Sequence, residues 1–444
     1  MQIARSEHLF CHADSLNIAE LLRNEPGFVF LDSASSNSPS SRFDLITCHP
    51  TLELMCTDWS AAGALAFLDE WNRSYRARAN SSESDYPFSG GWIAALSYDF
   101  GEALQGLVRD QAMGPIALAA YYPWAILVDK HAHQTLWVDD GSPLPAVIAA
   151  IKQPLLEAVR EPNASQNQEP ETRTAMRFRP LICKEDYAEA ITRIQSYLLE
   201  GDCYQVNYAQ PFVAEAPADP WHLYLGLRAK NAGEYGCYWP KMALGTFLSF
   251  SPELFLRTRA GRVLTSPIKG TAPRHTDPKR DQALAVELLN STKNRAENIM
   301  IVDLLRNDLG RVCEVGSVAT TALCELKTLP SVHHLVSHVE GQLPPDSTPI
   351  DLLRAAFPGG SITGAPKRRA MEIIAELEAQ PRGMYCGSVV ALGNHGTMIS
   401  SIAIRSMTIN NGLATVWGGG GIVSDSQVDS EYEESLNKLS KILS

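Results

Sequence analysis

Two stretches with helical patterning carry carboxylates at a spacing that can bind a divalent cation. In SEYEESLNKLSKIL, Glu431, Glu434 and Lys438 stand at i, i+3 and i+7, which puts them on one helix face. In NRAENIMIVDLLRND, Asn294 and Glu297 are three apart. Two glutamates from separate helices, completed by water and a substrate carboxylate, would suit Mg2+, a hard cation that takes oxygen ligands. The same pattern also describes a solvated face with an i,i+4 salt bridge, and spacing leaves both readings open.

Other candidates are weaker alone. Lys269 sits between apolar residues and Gly270-Thr271 in TSPIKGTAPR. A free lysine has a pKa of about 10.4, so exposing its neutral amine near pH 7 costs about 4–5 kcal/mol. Burial near other cations would lower that cost; without such surroundings, a solvated loop lysine is the simpler reading. WGGGGIVSDS places Gly418 to Gly421 between a strand and a short loop, either to let backbone approach an anion or as a flexible turn. In FPGGSITGAPKRRAM, Gly359 and Gly364 have the separation of a nucleotide phosphate loop. Ala365 and Pro366 stand where such a loop needs Lys and Ser/Thr, which argues against it and leaves a helix N-terminus facing an anion. His334 and His338 in SVHHLVSHVE lack the H-E-x-x-H pattern of a zinc helix and read instead as one face of a strand with Val332 and Val336.

Strands and helices must position these groups. FVFLDSAS (28–35), GGWIAALSYDFG (90–101), YYPWAILVDK (121–130) and CYQVNYAQPFVAEA (203–216) read as strands. Residues 61–71 have helical spacing, and a helix carrying Tyr187, Ile191 and Ile194 should end at Gly201. Asp277-Pro278 and Ser291 should each cap a helix, and Gly364-Ala365-Pro366 should open another. This mixture predicts a layered α+β body. The polar stretch EPNASQNQEPETRTA (161–175) reads as a linker between a first part, 1–160, and a second, 176–444.

The 444 residues carry a formal net charge of −12, with 45% hydrophobic and 20% charged residues. That excludes a disordered chain and argues against a nucleic-acid or anionic-membrane surface, while permitting a small anionic substrate held by a few cations. The 9 cysteines show no C-x-x-C, and MQIARSEHLFCHADS lacks an apolar signal core. Both point to a reducing cytoplasm.

GDCYQVNYAQ, SFSPELF, SPIKGTAPR, NRAENIMIVDLLRNDLGR, VHHLVS, AAFPGGSITGAPKRRAMEII, SIAIRS, GGGGIVSDS and SEYEESLNK occur in this order. Together they resemble the chorismate-utilising enzyme family, which includes anthranilate, aminodeoxychorismate, isochorismate and salicylate synthases. The resemblance covers nearly all of residues 182–440, and LDSASSNSPSSRFDL resembles the amino-terminal region of the amidotransferase-partnered members. It implies a mixed α+β fold, a large two-sheet β-sandwich flanked by helices, like anthranilate synthase component I. Anthranilate synthases typically carry PIAGT and aminodeoxychorismate synthases PIKGT; here Lys269 stands in PIKGT. Gln205 replaces the lysine base of the water-using members. Both features imply ammonia as nucleophile and Lys269 as a covalent catalyst acting on chorismate, giving 4-amino-4-deoxychorismate.

The resemblance also assigns roles. Glu253 would be the general acid. Glu297 and Glu434 would ligate Mg2+, with Glu431 in support. Arg405, Lys438, Tyr385 and the backbone of Gly419, Gly420 and Gly421 would grip a substrate carboxylate. Gly270, Thr271, His334 and Thr363 would line the pocket. Ammonia would come from a separate glutamine amidotransferase subunit in a heterodimer, since no cysteine here sits in a Gly-flanked elbow with a downstream His. No segment resembles the pyridoxal-dependent lyase that makes 4-aminobenzoate. Ser33, Ser40, Ser41, Arg42 and Phe43, with Glu234, Tyr235 and Gly236, would form a pocket for L-tryptophan. The residues alone allow a plainer reading, a turn tied by Arg42 to nearby carbonyls. Glu234 stands where the family usually has Pro.

Overall fold

The computed structural model describes residues 5–10, 14–34, 41–80, 84–107, 114–160, 176–231, 233–329 and 332–443. The expected linker, 161–175, lies outside the described residues. Two large antiparallel sheets dominate. The first runs, in spatial order, through Arg5–Phe10, Gln134–Asp139, Trp124–Asp129, Phe43–Thr47, Val29–Asp32, Tyr235–Met242, Gly245–Ser251, Ser406–Asn410, Leu413–Ile422, Gln205–Glu215 and Gly364–Ala365. The second runs through Ile268–Pro273, Val332–Gln342, Arg262–Thr265, Leu254–Arg259, Met398–Ile402, Ser388–Gly393, Gly91–Leu96, Ala117–Tyr122 and Leu52–Cys56. Each sheet takes strands from both sides of residues 161–175.

The sheets pack face to face. Val29, Leu45, Leu127 and Leu136 of the first meet Ile93, Ala95, Leu118 and Ala120 of the second in a buried apolar layer. Helices cover the outer faces. Trp221 and Tyr224 of helix Pro220–Lys230 pack on Phe30 and Tyr238. Phe67 and Trp71 of helix Ala61–Arg76 pack on Phe100 and Trp92. The result is the expected helix-flanked sandwich, because each sheet presents apolar side chains on both faces and needs cover on both.

Local signals explain most element boundaries. Asp277 and Ser291 cap helices Pro278–Asn290 and Thr292–Gly310 as expected. Gly201 ends helix Lys184–Glu200 at φ 86°, a conformation that costs glycine little. Two strand expectations needed division. Residues 121–130 are broken by Pro123, which lacks a ladder donor; Ala117–Tyr122 belongs to the second sheet and Trp124–Asp129 to the first. Residues 90–101 stop being a strand at Leu96, because the Ser97 hydroxyl accepts Phe100 N at 3.0 Å and caps helix Tyr98–Leu104.

The four-glycine run lies inside strand Leu413–Ile422, not in a loop. The reason is close packing. A Cβ at Gly418 would fall 2.5 Å from the Ser435 carbonyl, and one at Gly421 2.2 Å from Gln205 Nε2. Gly418 lets the terminal helix Val428–Leu443 settle onto the sheet, and Gly421 makes room for the Gln205 side chain of the neighbouring strand.

Candidate active site

The chain repeatedly crosses between the sheets, and site residues sit at the crossings. Glu253 lies between Gly245–Ser251 of the first sheet and Leu254–Arg259 of the second. Arg405 lies between Met398–Ile402 of the second and Ser406–Asn410 of the first, with φ 50°. The crossings are stitched together: Ile402 N donates to the Glu253 carbonyl at 3.1 Å, and Phe250 N to the Arg405 carbonyl at 3.1 Å.

Lys269 belongs to strand Ile268–Pro273, whose pairing with Val332–Gln342 slips between Ile268 and Thr271. Gly270 in this bulge has φ 87°, and a Cβ there would meet Asn294 and Leu288 at 3.0 Å. A bulge re-aims the residue it carries. Here the Lys269 amine lies among protein atoms and donates to the Ser361 carbonyl at 2.9 Å. The solvated loop lysine of the plain sequence reading is therefore wrong: Lys269 is a strand residue turned inward. Asn294 packs on Gly270 and hydrogen-bonds the Ser291 hydroxyl at 2.9 Å, so its spacing from Glu297 reflects a cap.

Burial pulls Lys269 below its ordinary pKa, outweighing Glu253, Glu297 and Glu434, which raise it; Lys438 lowers it further. Burial pushes Glu253 above the usual carboxylate range, with Lys269, the Ser361 hydroxyl and Lys438 offsetting part of the rise. The two groups thus approach the neutral acid and the neutral amine, the states needed for proton donation and nucleophilic attack.

Glu297 projects from helix Thr292–Gly310, and Glu431 and Glu434 from helix Val428–Leu443. Burial raises Glu297; Lys269 and Lys293 oppose it, and the negative Glu434 and Glu431 raise it further. Burial also pushes Glu434 up, but Lys438, Lys293 and Lys269 outweigh it and hold it low. Glu431 accepts the Ser426 hydroxyl at 2.6 Å. A Cβ at Gly420 would lie 3.4 Å from Glu431 Oε2 and 3.5 Å from Glu434 Oε1, so glycine keeps these oxygens accessible to a ligand. Lys438 pairs with Glu434 Oε1 at 2.6 Å and donates to the Gly419 carbonyl at 2.9 Å. The i,i+4 salt bridge and the carboxylate cluster therefore coexist.

Arg405 completes the cationic side. Burial lowers its pKa, and among the described residues its guanidinium has neither ion pair nor hydrogen bond. A desolvated, unpaired guanidinium is costly unless an anion joins it. His334 accepts or donates at 2.8 Å with the Thr271 hydroxyl; burial first, then Arg405, push it down to about 4, so it is neutral at pH 7. Thr363 is buried with its hydroxyl spent on the Gly359 carbonyl at 3.1 Å. Tyr385 stacks on Trp417 with centroids 5.9 Å apart.

The chain matches the chorismate binding enzyme model over residues 37–444. It belongs to the chorismate binding enzyme family. Aminodeoxychorismate synthase component 1 of Escherichia coli strain K12 is 38% identical, over 95% of this chain and 94% of that protein. Anthranilate synthase component 1 of Pseudomonas aeruginosa is 42% identical, over 64% of this chain and 58% of that protein. The crystal structure of anthranilate synthase component I from Streptococcus pneumoniae TIGR4 superposes with a TM-score of 0.78 at 30% identity, covering 91% of this chain and 93% of that one.

Among the described residues no group of three or more His, Cys, Asp or Glu side chains is arranged to hold an ion alone. Mg2+ characteristically takes one or two carboxylates and completes its shell with water and substrate. Glu297, raised by burial and then by Glu434 and Glu431, and Glu434 fit that donor set.

The second predicted cluster also assembles. Strand Tyr235–Met242 pairs Gly236 with Asp32, and the Ser33 hydroxyl donates to the Asp44 carboxylate at 2.8 Å, with the Ser41 and Phe43 carbonyls at 3.1 and 3.2 Å. Ser40 lies outside the described residues. Arg42 binds the Asp129 carboxylate at 2.6 Å, not a carbonyl turn. Glu234 pairs with Lys327 at 2.9 Å, so its charge is answered inside the protein.

Several supporting residues escaped the motif reading. The loop from Phe357 to Pro366 is pinned by Arg382, which donates to the Ile362 carbonyl at 3.1 Å and pairs with Glu378 at 2.7 Å. It is also pinned by Lys367, which reaches Asp308 at 2.6 Å and the Ala356 carbonyl at 2.8 Å. Ser361 sat in a quoted motif without a role. The available signal was the density of cations next to glycines in GGSITGAPKRR, which reads as surface charge until the fold buries it.

Proposed function

We propose that this chain aminates chorismate at C4 with ammonia, giving 4-amino-4-deoxychorismate, and that a glutamine amidotransferase subunit supplies the ammonia. The observation that carries the reading is the pairing of an inward-turned Lys269 with the buried Glu253 across Ser361. Similarity to aminodeoxychorismate synthase component 1, 38% identity over 95% of the chain, supports it, as does lysine where anthranilate synthases typically have alanine.

In this reading, Arg405, Lys438 and Tyr385 bind one carboxylate of the substrate. Glu297 and Glu434 would hold Mg2+, with Glu431 beside them, and the bound ion would neutralise the ring carboxylate. Glu253 protonates the C4 hydroxyl, which leaves as water. The Lys269 amine attacks C2 as both conjugated ring double bonds shift by one position, so a C2–N bond forms while the C4–O bond breaks. Ammonia then attacks C4, both double bonds return, and the C2–N bond to Lys269 breaks. The surplus proton from ammonia restores Glu253. Two displacements with good leaving groups replace one with hydroxide.

The test is incubation with chorismate, Mg2+ and ammonium, followed by a lyase that aromatises 4-amino-4-deoxychorismate. The expected product is 4-aminobenzoate; anthranilate would overturn the assignment. Arg405→Ala should raise the KM for chorismate roughly 10- to 100-fold, as expected for losing a charged hydrogen bond to a carboxylate. An unchanged KM would remove Arg405 from substrate binding.

The Ser33, Ser41–Phe43 and Glu234–Gly236 cluster supports a second site, for an amino acid such as L-tryptophan, because loop and strand residues converge there. No helix of the described residues is long and apolar enough to cross a membrane. The cysteines described are all free thiols, which fits a cytoplasmic location.

A further inference from the structure

Ser361 touches both reacting groups. It is 6% exposed, its carbonyl accepts Lys269 Nζ at 2.9 Å, and its hydroxyl donates to Glu253 Oε1 at 2.6 Å. A protonated carboxyl has one proton and two oxygens. Where the hydroxyl donates to Oε1, that oxygen presents a lone pair and the transferable proton resides on Oε2. The carbonyl acts in a complementary way on the lysine. Having no hydrogen to give, it can only accept an N–H and leaves the amine lone pair free.

We propose that Ser361 is a positioning residue that selects which Glu253 oxygen carries the transferable proton and orients the Lys269 lone pair. This rests on the roles proposed above for Lys269 and Glu253. The hydroxyl contact is weak between neutral groups and becomes charge-assisted as Glu253 loses its proton. Its gain is therefore realised in the transition state, which raises kcat and leaves substrate affinity alone.

The loop is built to hold this position. A Cβ at Gly360 would fall 2.6 Å from Leu304 Cδ2, so the backbone is pressed against helix Thr292–Gly310. Arg382 fixes the next carbonyl, and the Thr363 hydroxyl closes the turn onto Gly359.

Ser361→Ala should lower kcat with ammonium roughly 10- to 100-fold, the range for losing a hydrogen bond to a charged group, with the chorismate KM within about twofold. Ser361→Thr, which keeps the hydroxyl, should recover most of the loss. In the infrared difference between each background and its Glu253→Gln counterpart, the Glu253 C=O stretch should move to higher frequency in Ser361→Ala and return in Ser361→Thr. Unchanged kcat, failed threonine rescue with the fold intact, or an unmoved stretch would overturn the proposal. The infrared arm needs no turnover. Loss of activity in the unaltered enzyme would therefore strike the reaction assignment, while an unmoved stretch would strike Ser361.

Discussion

Lys269→Ala should reduce ammonium-dependent turnover of chorismate on the order of 10³-fold, equivalent to about 4 kcal/mol of barrier. It should also abolish a mass increment on the protein after quenching with chorismate present. The basis is geometric. The bulge at Gly270 turns the amine inward, and burial keeps it below its ordinary pKa although Glu253, Glu297 and Glu434 pull the other way. Stability should change little, because the amine removed is buried and held below its ordinary pKa, and Glu253 retains the Ser361 hydroxyl. Thermal unfolding of the variant separates a folding defect from a chemical one. Full turnover in the variant, or no mass increment in the unaltered enzyme, would end the covalent role.

Glu253→Gln should lower kcat roughly 10²- to 10⁴-fold, the usual worth of a positioned general acid. The amide keeps the carboxyl's shape and can still accept the Ser361 hydroxyl, so chorismate KM should move little. No covalent adduct should accumulate, since the C4 oxygen would have to depart unprotonated. Glu253 and Lys269 also predict the form of the pH profile. Neutral acid with neutral amine holds the same number of protons as carboxylate with ammonium. Between the two titrations of the pair, the working fraction is therefore independent of pH. The rate should show a plateau, falling in acid as the pair gains a proton and in base as it loses one. A Glu253→Gln enzyme with undiminished kcat would remove the acid role.

Much of this is legible in the sequence. Caps at Asp277, Ser291 and Gly201 follow from side-chain chemistry within a few residues, so the helices they bound were readable. The sandwich and the site roles came from ordered motifs, not periodicity. What stayed hidden depends on long-range contact. Lys269 reads as a loop lysine because nothing in SPIKGTAPR announces a bulge pressed against Asn294 and Leu288. Ser361 acquires meaning only when Glu253, from a crossing between the sheets, and Lys269, from a strand, are brought to it. Residues 121–130 read as one strand, and only the fold makes Pro123 a corner between sheets.

The interleaving of strands has a consequence for biosynthesis. Ala94 pairs with Val390, and Phe30 with Tyr238, so early strands await partners translated far later. A nascent chain emerging from the ribosome would expose unpaired edges until its carboxyl-terminal third appeared. Such topology folds slowly, because distant segments must meet before their contacts stabilise them. Chaperone dependence during expression, and aggregation of carboxyl-terminally truncated chains, are the expected signs.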